Sequence, residues 1–274
     1  MGKKVKFGTC KICGNQGEIT YEHVPPKSAF NKNNEFYTSR IHPLFENRNA
    51  TTFEELTTID KSKVKKEQGG IGFYSLCRVC NNNTGGWYGR AYVDWVKQSA
   101  KYFDHLMENG DASIFNVKFF PLRVIKQIVS MFISINYGGF IKDYPILKSF
   151  ILQKQNKIFD NRIRIFTYYN LEGGLRYEPN LTLYNIKSNN ALHLSEITFP
   201  PLGFLMVMND GEVDNRLTEI TSFINFNYED EIELDQKMNI MPTHLRVVGD
   251  YRTKDEIQKS LDSSNEITSE YNDS

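Results

Sequence analysis

Four cysteines, the only ones in the chain, form two CxxC pairs that a long segment separates. The first pair is Cys10 and Cys13, and the second is Cys77 and Cys80. Thiolates at this spacing reach one tetrahedral ion, and two such pairs make a closed, structural zinc site. The pattern therefore predicts that the two ends of the segment meet at a Zn²⁺ ion, which replaces the core that about 90 polar residues cannot build alone.

Two other interpretations of the cysteines are unpaired buried thiols and a redox CxxC. Gly14 and Gly17 follow the first pair and supply the tight turn that a metal knuckle needs, which argues against both. The basic N-terminus has no apolar segment of the secretory kind, and no run of about 18 apolar residues indicates a membrane span. In such a chain CxxC pairs indicate metal rather than disulfides, and a cytoplasmic location is expected.

Charge is distributed unevenly over the 274 residues, although the formal net charge is zero. Residues 1–90 carry 14 lysines and arginines against 8 acidic residues, a balance of +6. Residues 91–274 carry 19 against 25, a balance of −6. The basic half is the one with the cysteines, which suits a polyanionic partner such as nucleic acid, although chance asymmetry is an equal alternative.

An acidic residue and a histidine, Glu22-His23, lie between the cysteine pairs at the end of a predicted strand over residues 18–21. Pro25 and Pro26 end that strand. A histidine suits the removal of a proton from water near neutral pH, and a carboxylate with an amide oxygen suits a hard divalent cation. Taken alone, most such pairs are surface residues, but this position favours catalysis.

The order of these motifs resembles the HNH endonucleases, the zinc-supported branch of the ββα-metal nucleases. The resemblance covers about residues 8–90: a CxxC knuckle, then Glu22-His23-Val24-Pro25, then Leu76 to Asn81 with the second CxxC. It implies a treble-clef-like ββα module in which His23 is the general base. It also implies that Glu22 and Asn81 bind a catalytic Mg²⁺ or Mn²⁺ ion, with Asn83 as the second choice for Asn81.

Two positions depart from the family's pattern. Glu22 stands where most relatives have aspartate, and no asparagine stands near Gly72, where the family's middle asparagine falls. Lys27, Arg78 and Arg90 flank the motifs and are candidate phosphate contacts, with solvated surface charge as the ordinary alternative. Asn81 and its neighbours could equally serve as a helix N-cap.

The remainder of the chain predicts an α+β fold. Helices are predicted from Trp87, from Pro121 and over residues 146–155, and strands over residues 163–169, 181–184, 202–208 and 220–226. The predicted organisation is an HNH module with its zinc site over residues 1–95, carrying an insert at 28–70. A helical segment and an α+β domain of unknown role follow over 96–262, with a disordered acidic tail over 263–274.

The expected function is a metal-dependent endonuclease that hydrolyses phosphodiester bonds in DNA. By analogy with similar two-part proteins, it would serve in bacterial restriction, phage defence or a mobile element. The C-terminal domain would bind an activator or a second copy of the chain. The alternative is a non-catalytic zinc module that binds nucleic acid or a protein partner.

Overall fold

The computed structural model describes residues 5–32, 35–38, 49–58, 64–102, 113–171, 174–185 and 190–272. Helices and several antiparallel sheets alternate along the chain, which confirms the predicted mixture of α and β structure. The strands are β1 (Lys6–Thr9), β2 (Gln16–His23), β3 (Glu35–Thr38), β4 (Lys65–Gln68), β5 (Gly72–Cys77), β6 (Ser113–Phe119), β7 (Arg164–Tyr169), β8 (Arg176–Asn185), β9 (Asn190–Phe199), β10 (Leu202–Val207), β11 (Thr218–Glu219) and β12 (Ile232–Met238).

The α-helices are α1 (Phe53–Thr57), α2 (Arg78–Thr84), α3 (Arg90–Ala100), α4 (Pro121–Ile135), α5 (Phe140–Asp143), α6 (Pro145–Leu152) and α7 (Lys254–Asn272). A π-helical turn over Gly85–Gly89 joins α2 to α3, and a 3₁₀ turn covers Thr221–Asn225. The helices predicted from Pro121 and near residue 146 are confirmed. The helix predicted to begin at Trp87 begins earlier, directly after β5.

Four antiparallel sheets are present among the described residues. A three-stranded sheet has the order β1-β2-β5, and a five-stranded sheet has the order β11-β7-β10-β9-β8. Two-stranded ribbons pair β3 with β4 and β6 with β12. The three-stranded sheet carries the Glu22-His23 pair, and β5 leads directly into α2.

Helix α4 lies at the centre of the molecule. Pro121 occupies its first turn, and every residue of the helix except Arg123 is buried. A helix that is buried on all sides must be covered by several elements. Here the π turn, the 3₁₀ turn and α3 pack against it, together with α6 and the strands β5, β8 and β9.

One apolar core consequently extends through both predicted domains, from Ile12 in the cysteine knuckle to Met238 in β12. Trp95 of α3 is fully buried within this core and contacts Phe204 of β10, with ring centroids 6.1 Å apart. The division at residue 95 stays a prediction, but the two parts are packed against each other.

The second face of the five-stranded sheet is covered by the segment before α7. Glu196 of β9 is fully buried there and forms an ion pair with Arg176 of β8 at 3.1 Å. The hydroxyls of Tyr168 and Tyr251 also donate to its carboxylate, at 2.6 and 2.9 Å. Because a buried charge is tolerated only when it is paired and hydrogen-bonded, this network fixes the C-terminal segment on the sheet.

The insert is attached to the C-terminal helix. The side chain of Gln258 in α7 accepts a hydrogen bond from the Phe53 amide at 2.9 Å and donates one to the Thr51 carbonyl at 3.0 Å. Thr52 is the N-cap of α1, and its side chain accepts from the Glu55 amide. The helix covers only Phe53–Thr57, and residues 39–48 and 59–63 of the insert lie outside the described part.

Two local predictions differ from the structure. Residues 221–225 form a 3₁₀ turn rather than a strand, because the backbone pairs with Ile165 at Ile220 and then turns with Phe223 buried. Residues 263–272, predicted to be disordered, continue α7. That helix begins with Thr253, whose hydroxyl accepts from the Glu256 amide while its own amide donates to the Glu256 carboxylate, a reciprocal pairing that favours helix initiation.

Candidate functional site

The four cysteines come together, as predicted. One sulfur from each of Cys10, Cys13, Cys77 and Cys80 lies within 4.8 Å of the others, and the Sγ atoms of Cys13 and Cys77 are 3.9 Å apart. A tetrahedral zinc ion with Zn–S bonds of about 2.3 Å requires sulfurs roughly 3.8 Å apart. The cluster therefore fits a closed four-thiolate metal site.

Local backbone structure places each sulfur. The Cys10 carbonyl accepts from the Gly14 amide at 2.9 Å, and Gly14 has φ +81°, which glycine adopts without strain. Cys77 ends β5 and is the N-cap residue of α2, so Cys80 lies in the first turn of that helix. The knuckle after β1 therefore presents Cys10 and Cys13, and the junction of β5 with α2 presents Cys77 and Cys80.

The thiols are electrostatically unequal. A hydrogen bond from the Cys80 thiol lowers the pKa of Cys10 to about 4. The same bond, followed by burial, raises the pKa of Cys80, and burial also raises the pKa of Cys13. One thiolate is therefore favoured without a metal, whereas the complete set of four requires a cation to neutralise it.

His23 lies at the end of β2 and is partly exposed. Its Nε2 is 3.2 Å from the Gly69 carbonyl oxygen, and its ring meets the edge of Tyr21 at a centroid distance of 5.1 Å. A carbonyl only accepts, so this contact assigns the proton to Nε2. The lone pair is then on Nδ1, which is the nitrogen available to accept a proton.

Asn31 connects the two chain segments that flank His23. Its side-chain amide donates to the carbonyls of Pro25 and Ile71, both at 2.7 Å, and its Oδ1 accepts from the Ile71 amide at 2.8 Å. It is fully buried. Sequence reasoning missed Asn31, because an asparagine in a polar insert looks like any loop residue. The sequence has no asparagine near Gly72, and the buried Asn31 joins the segments on the two sides of His23.

Two glycines allow the backbone segments around His23 to approach each other closely. Gly70 has φ +90°, and a Cβ there would lie 2.4 Å from the Asn31 carbonyl oxygen and 3.1 Å from the His23 ring. A Cβ on Gly72, the register partner of His23, would lie 2.1 Å from the Glu22 carbonyl oxygen. A larger residue at position 70 would push Asn31 and the His23 ring away, and one at position 72 would displace β2 from β5.

Glu22 points into the molecule and is only 6% exposed. Its Oε2 accepts from the hydroxyl of Ser134 in α4 at 2.5 Å and from that of Ser75 at 3.4 Å. Burial raises the pKa of Glu22 to about 7. Lys11 lies close enough to oppose that rise, and its ammonium donates to the backbone carbonyls of Ser134 and Asn136 at the end of α4.

Asn81 lies in α2 against the outer part of β2. Its amide nitrogen donates to the Thr20 hydroxyl at 2.9 Å and to the Tyr21 carbonyl at 3.4 Å. Asn83, the second choice, is partly buried in the same helix. The Glu22 carboxylate is directed at α4 and the Asn81 amide nitrogen at β2, and these contacts give no support to a shared Mg²⁺ or Mn²⁺ ion, which stays a prediction.

The three candidate phosphate contacts are all exposed. Lys27 follows the two prolines, and Arg78 at the start of α2 is 3.6 Å from Glu18. Arg90 forms an i,i+4 pair with Asp94 at 3.7 Å and lines a groove of about 610 Å³ between α3 and β6. Such exposed pairs contribute little to stability, so all three cations are available to a polyanion.

Comparison with known proteins adds no assignment: no family model, curated protein or solved structure matches the chain. In the part of the chain that the structure describes, no helix combines the length and apolar character needed to cross a membrane. The site must therefore be interpreted from its own geometry.

Proposed function

We propose that the chain is an HNH-type endonuclease that hydrolyses phosphodiester bonds in DNA with His23 as its general base. The observation that supports this most is the position of His23 at the end of β2, inside a segment whose two ends meet at the four-cysteine cluster. The Gly69 carbonyl holds one ring nitrogen and leaves the other to accept a proton. That is the geometry a general base requires.

In the proposed reaction, Nδ1 of His23 takes a proton from a water molecule while the water oxygen attacks the phosphorus atom. The new P–O bond replaces the bond between phosphorus and one sugar oxygen, and that oxygen leaves as a hydroxyl after taking a proton from solvent water. Gly69 stabilises the protonated ring, since its carbonyl accepts from Nε2 in both charge states. Lys27 and Arg78 are exposed beside the module and would neutralise phosphate charge. The four-cysteine site fits zinc, which would hold β1, β5 and α2 together without taking part in the chemistry.

The resemblance also implies a divalent cation that stabilises the developing charge. The Glu22 carboxylate points inward and accepts from two serines, which does not support its assignment as a ligand of that cation.

The second candidate is a non-catalytic zinc module that binds nucleic acid or a protein. One observation favours it: Glu22, the acidic neighbour of His23 in the sequence, is buried and already hydrogen-bonded to two serines. A module without a metal-binding carboxylate would retain the zinc fold and lack cleavage.

The test is cleavage of supercoiled plasmid by purified protein with Mg²⁺, with Mn²⁺ and with EDTA. His23→Ala is compared with His193→Ala, since His193 is a partly exposed histidine on β9 whose ring contacts Thr182. Nicking by the parent and by His193→Ala, but not by His23→Ala, is the expected result. Equal cleavage by all three proteins would reject His23 as the base, and no cleavage by zinc-loaded parent would favour the binding module.

A further inference from the structure

The outer face of the three-stranded sheet carries an exposed aromatic pair that the proposed chemistry does not use. Tyr21 of β2 and Tyr74 of β5 are register partners, 39% and 45% exposed, with ring centroids 5.2 Å apart. Their neighbours in sequence, Glu22 and Ser75, point inward to α4. The two rings therefore lie on the side of the sheet away from the core.

The pair adjoins the candidate base and a cation. The ring of Tyr21 meets the His23 ring at 5.1 Å in an edge contact, and the Tyr21 hydroxyl donates to the Gly70 carbonyl at 3.1 Å. The ammonium of Lys6 lies 3.9 Å from the centre of the Tyr74 ring. Lys6, Tyr74, Tyr21 and His23 thus form a continuous row across the outer face.

A cross-strand aromatic pair also stabilises a small sheet, so its presence alone does not indicate a ligand. The exposure of both rings matters here: they meet at 69°, so each presents its own plane, and each stays about two fifths exposed although the Lys6 ammonium lies over one face of Tyr74. An uncovered aromatic face with a cation beside it suits a nucleobase whose neighbouring phosphate meets the ammonium. Two acidic residues lie near the row: Glu18 of β2 is 3.6 Å from Arg78, and Glu67 of β4 is close enough to Tyr21 to help raise its pKa, after the larger effect of burial.

From this row we infer that the protein binds a single-stranded segment of DNA, with an unpaired base packed against the exposed part of the Tyr74 ring and flanked by Tyr21. The bases of a duplex already stack on each other and offer only their edges and the backbone, so only an unpaired base can use the rings. The inference rests on the proposed function, because the bound strand is oriented so that the phosphate next to the stacked base lies beside His23. The substrate class is then a single strand, a flap or a bulge, rather than continuous duplex.

The test measures binding in EDTA, so that cleavage plays no part. His23→Ala serves as the parent, and fluorescent 20-nucleotide DNA, the matching duplex and RNA of the same sequence are the probes. Tyr74→Leu removes the ring and Tyr74→Phe keeps it. Tyr184→Leu is the matched control, because Tyr184 is 58% exposed on β8 in the other sheet. Zinc content and thermal unfolding establish that each variant is folded.

We expect Tyr74→Leu to weaken binding of single-stranded DNA about tenfold, the effect of losing one stacked base, with duplex binding little changed. Tyr74→Phe and Tyr184→Leu should bind like the parent. Unchanged binding by Tyr74→Leu, or an equal loss for duplex, would overturn the inference, and tighter binding of RNA would overturn the choice of DNA. Because these outcomes do not depend on cleavage, they are distinguishable from a failure of the plasmid assay.

Discussion

Glu22 and His23 are neighbours in the sequence, but their side chains leave β2 on opposite sides. The Glu22 carboxylate accepts a hydrogen bond from Ser134 in α4, whereas the His23 ring contacts the Gly69 carbonyl on the outer side. Successive residues of a strand alternate between its two faces, so one residue of this pair must point inward. Glu22 therefore makes a buried contact with the second half of the chain, whereas the ring of His23 stays partly exposed.

Glu22→Gln is expected to stabilise the protein at pH 8. Burial raises the pKa of Glu22 from its ordinary value to about 7 in the folded state, so the folded state binds the extra proton more tightly than the unfolded state. The stabilisation that the folded state gains from this tighter proton binding is fully present below about pH 4.5 and is lost as the pH rises through 7. Glutamine stays neutral, and we expect a gain on the order of 2 kcal/mol at pH 8 that vanishes near pH 4.5.

Urea unfolding at both pH values measures this difference, with Glu18→Gln as the exposed control. The same variant separates the two roles of Glu22 in the plasmid assay. Cleavage retained by Glu22→Gln agrees with an inward, structural role. Loss of cleavage in a folded, stabilised variant would show that Glu22 is a metal ligand after all.

Cys77→Ser is expected to reduce the zinc content from one ion per chain to nearly none. The four sulfurs are the natural ligand set, and a structural zinc site supplies much of the folding free energy of its module. Elemental analysis and a thermal melt with and without a chelator measure both effects. Val79→Ser, at a position 67% exposed between the two cysteines, should keep its zinc. A stable, metal-free Cys77→Ser protein would argue against a structural ion.

Asn31→Ala is expected to destabilise the protein by about 2–4 kcal/mol, because it leaves a buried amide and two buried carbonyls without partners. These groups belong to Pro25 and Ile71, which flank His23 and its partner strand, so the cleavage rate should fall even well below the melting temperature. Urea unfolding and plasmid cleavage at 15 °C separate the two effects. Asn83→Ala, at a partly buried position in α2, is the control. A full cleavage rate in Asn31→Ala would remove Asn31 from the support of His23.

The sequence predicts the parts of the site that depend on spacing. CxxC pairs and turn glycines specify the cysteine cluster locally, and the helix from Pro121 is evident because a long apolar segment follows a proline. Strand β2 is likewise marked by the prolines that end it. These features need no information about distant residues.

Long-range partners are what sequence reasoning missed. The direction of Glu22 depends on Ser134, which is 112 residues away, and the role of Asn31 depends on Ile71, which is 40 residues away. Strand β12 was missed because its residues pair with β6 across more than 100 residues of chain. A polar residue carries no local mark that distinguishes a surface position from a buried, hydrogen-bonded one.

Lys126 offers a test of the packing that joins the two halves. This lysine of α4 is fully buried, its ammonium donates to the carbonyls of Phe150 and Gln153 at the end of α6, and burial lowers its pKa to about 7. Between about pH 7 and 10.5 the unfolded chain binds a proton that the folded chain releases, so this residue makes stability rise with pH across that window. Lys126→Met should flatten this rise in stability with pH. Thermal melts at half-unit pH steps would measure it against Lys97→Met, an exposed control on α3.

An unchanged pH profile in Lys126→Met would mean that the ammonium of Lys126 remains charged in the folded protein. It would then be stabilised by the helix-end carbonyls and by the Phe150 ring, whose centre is 4.3 Å away.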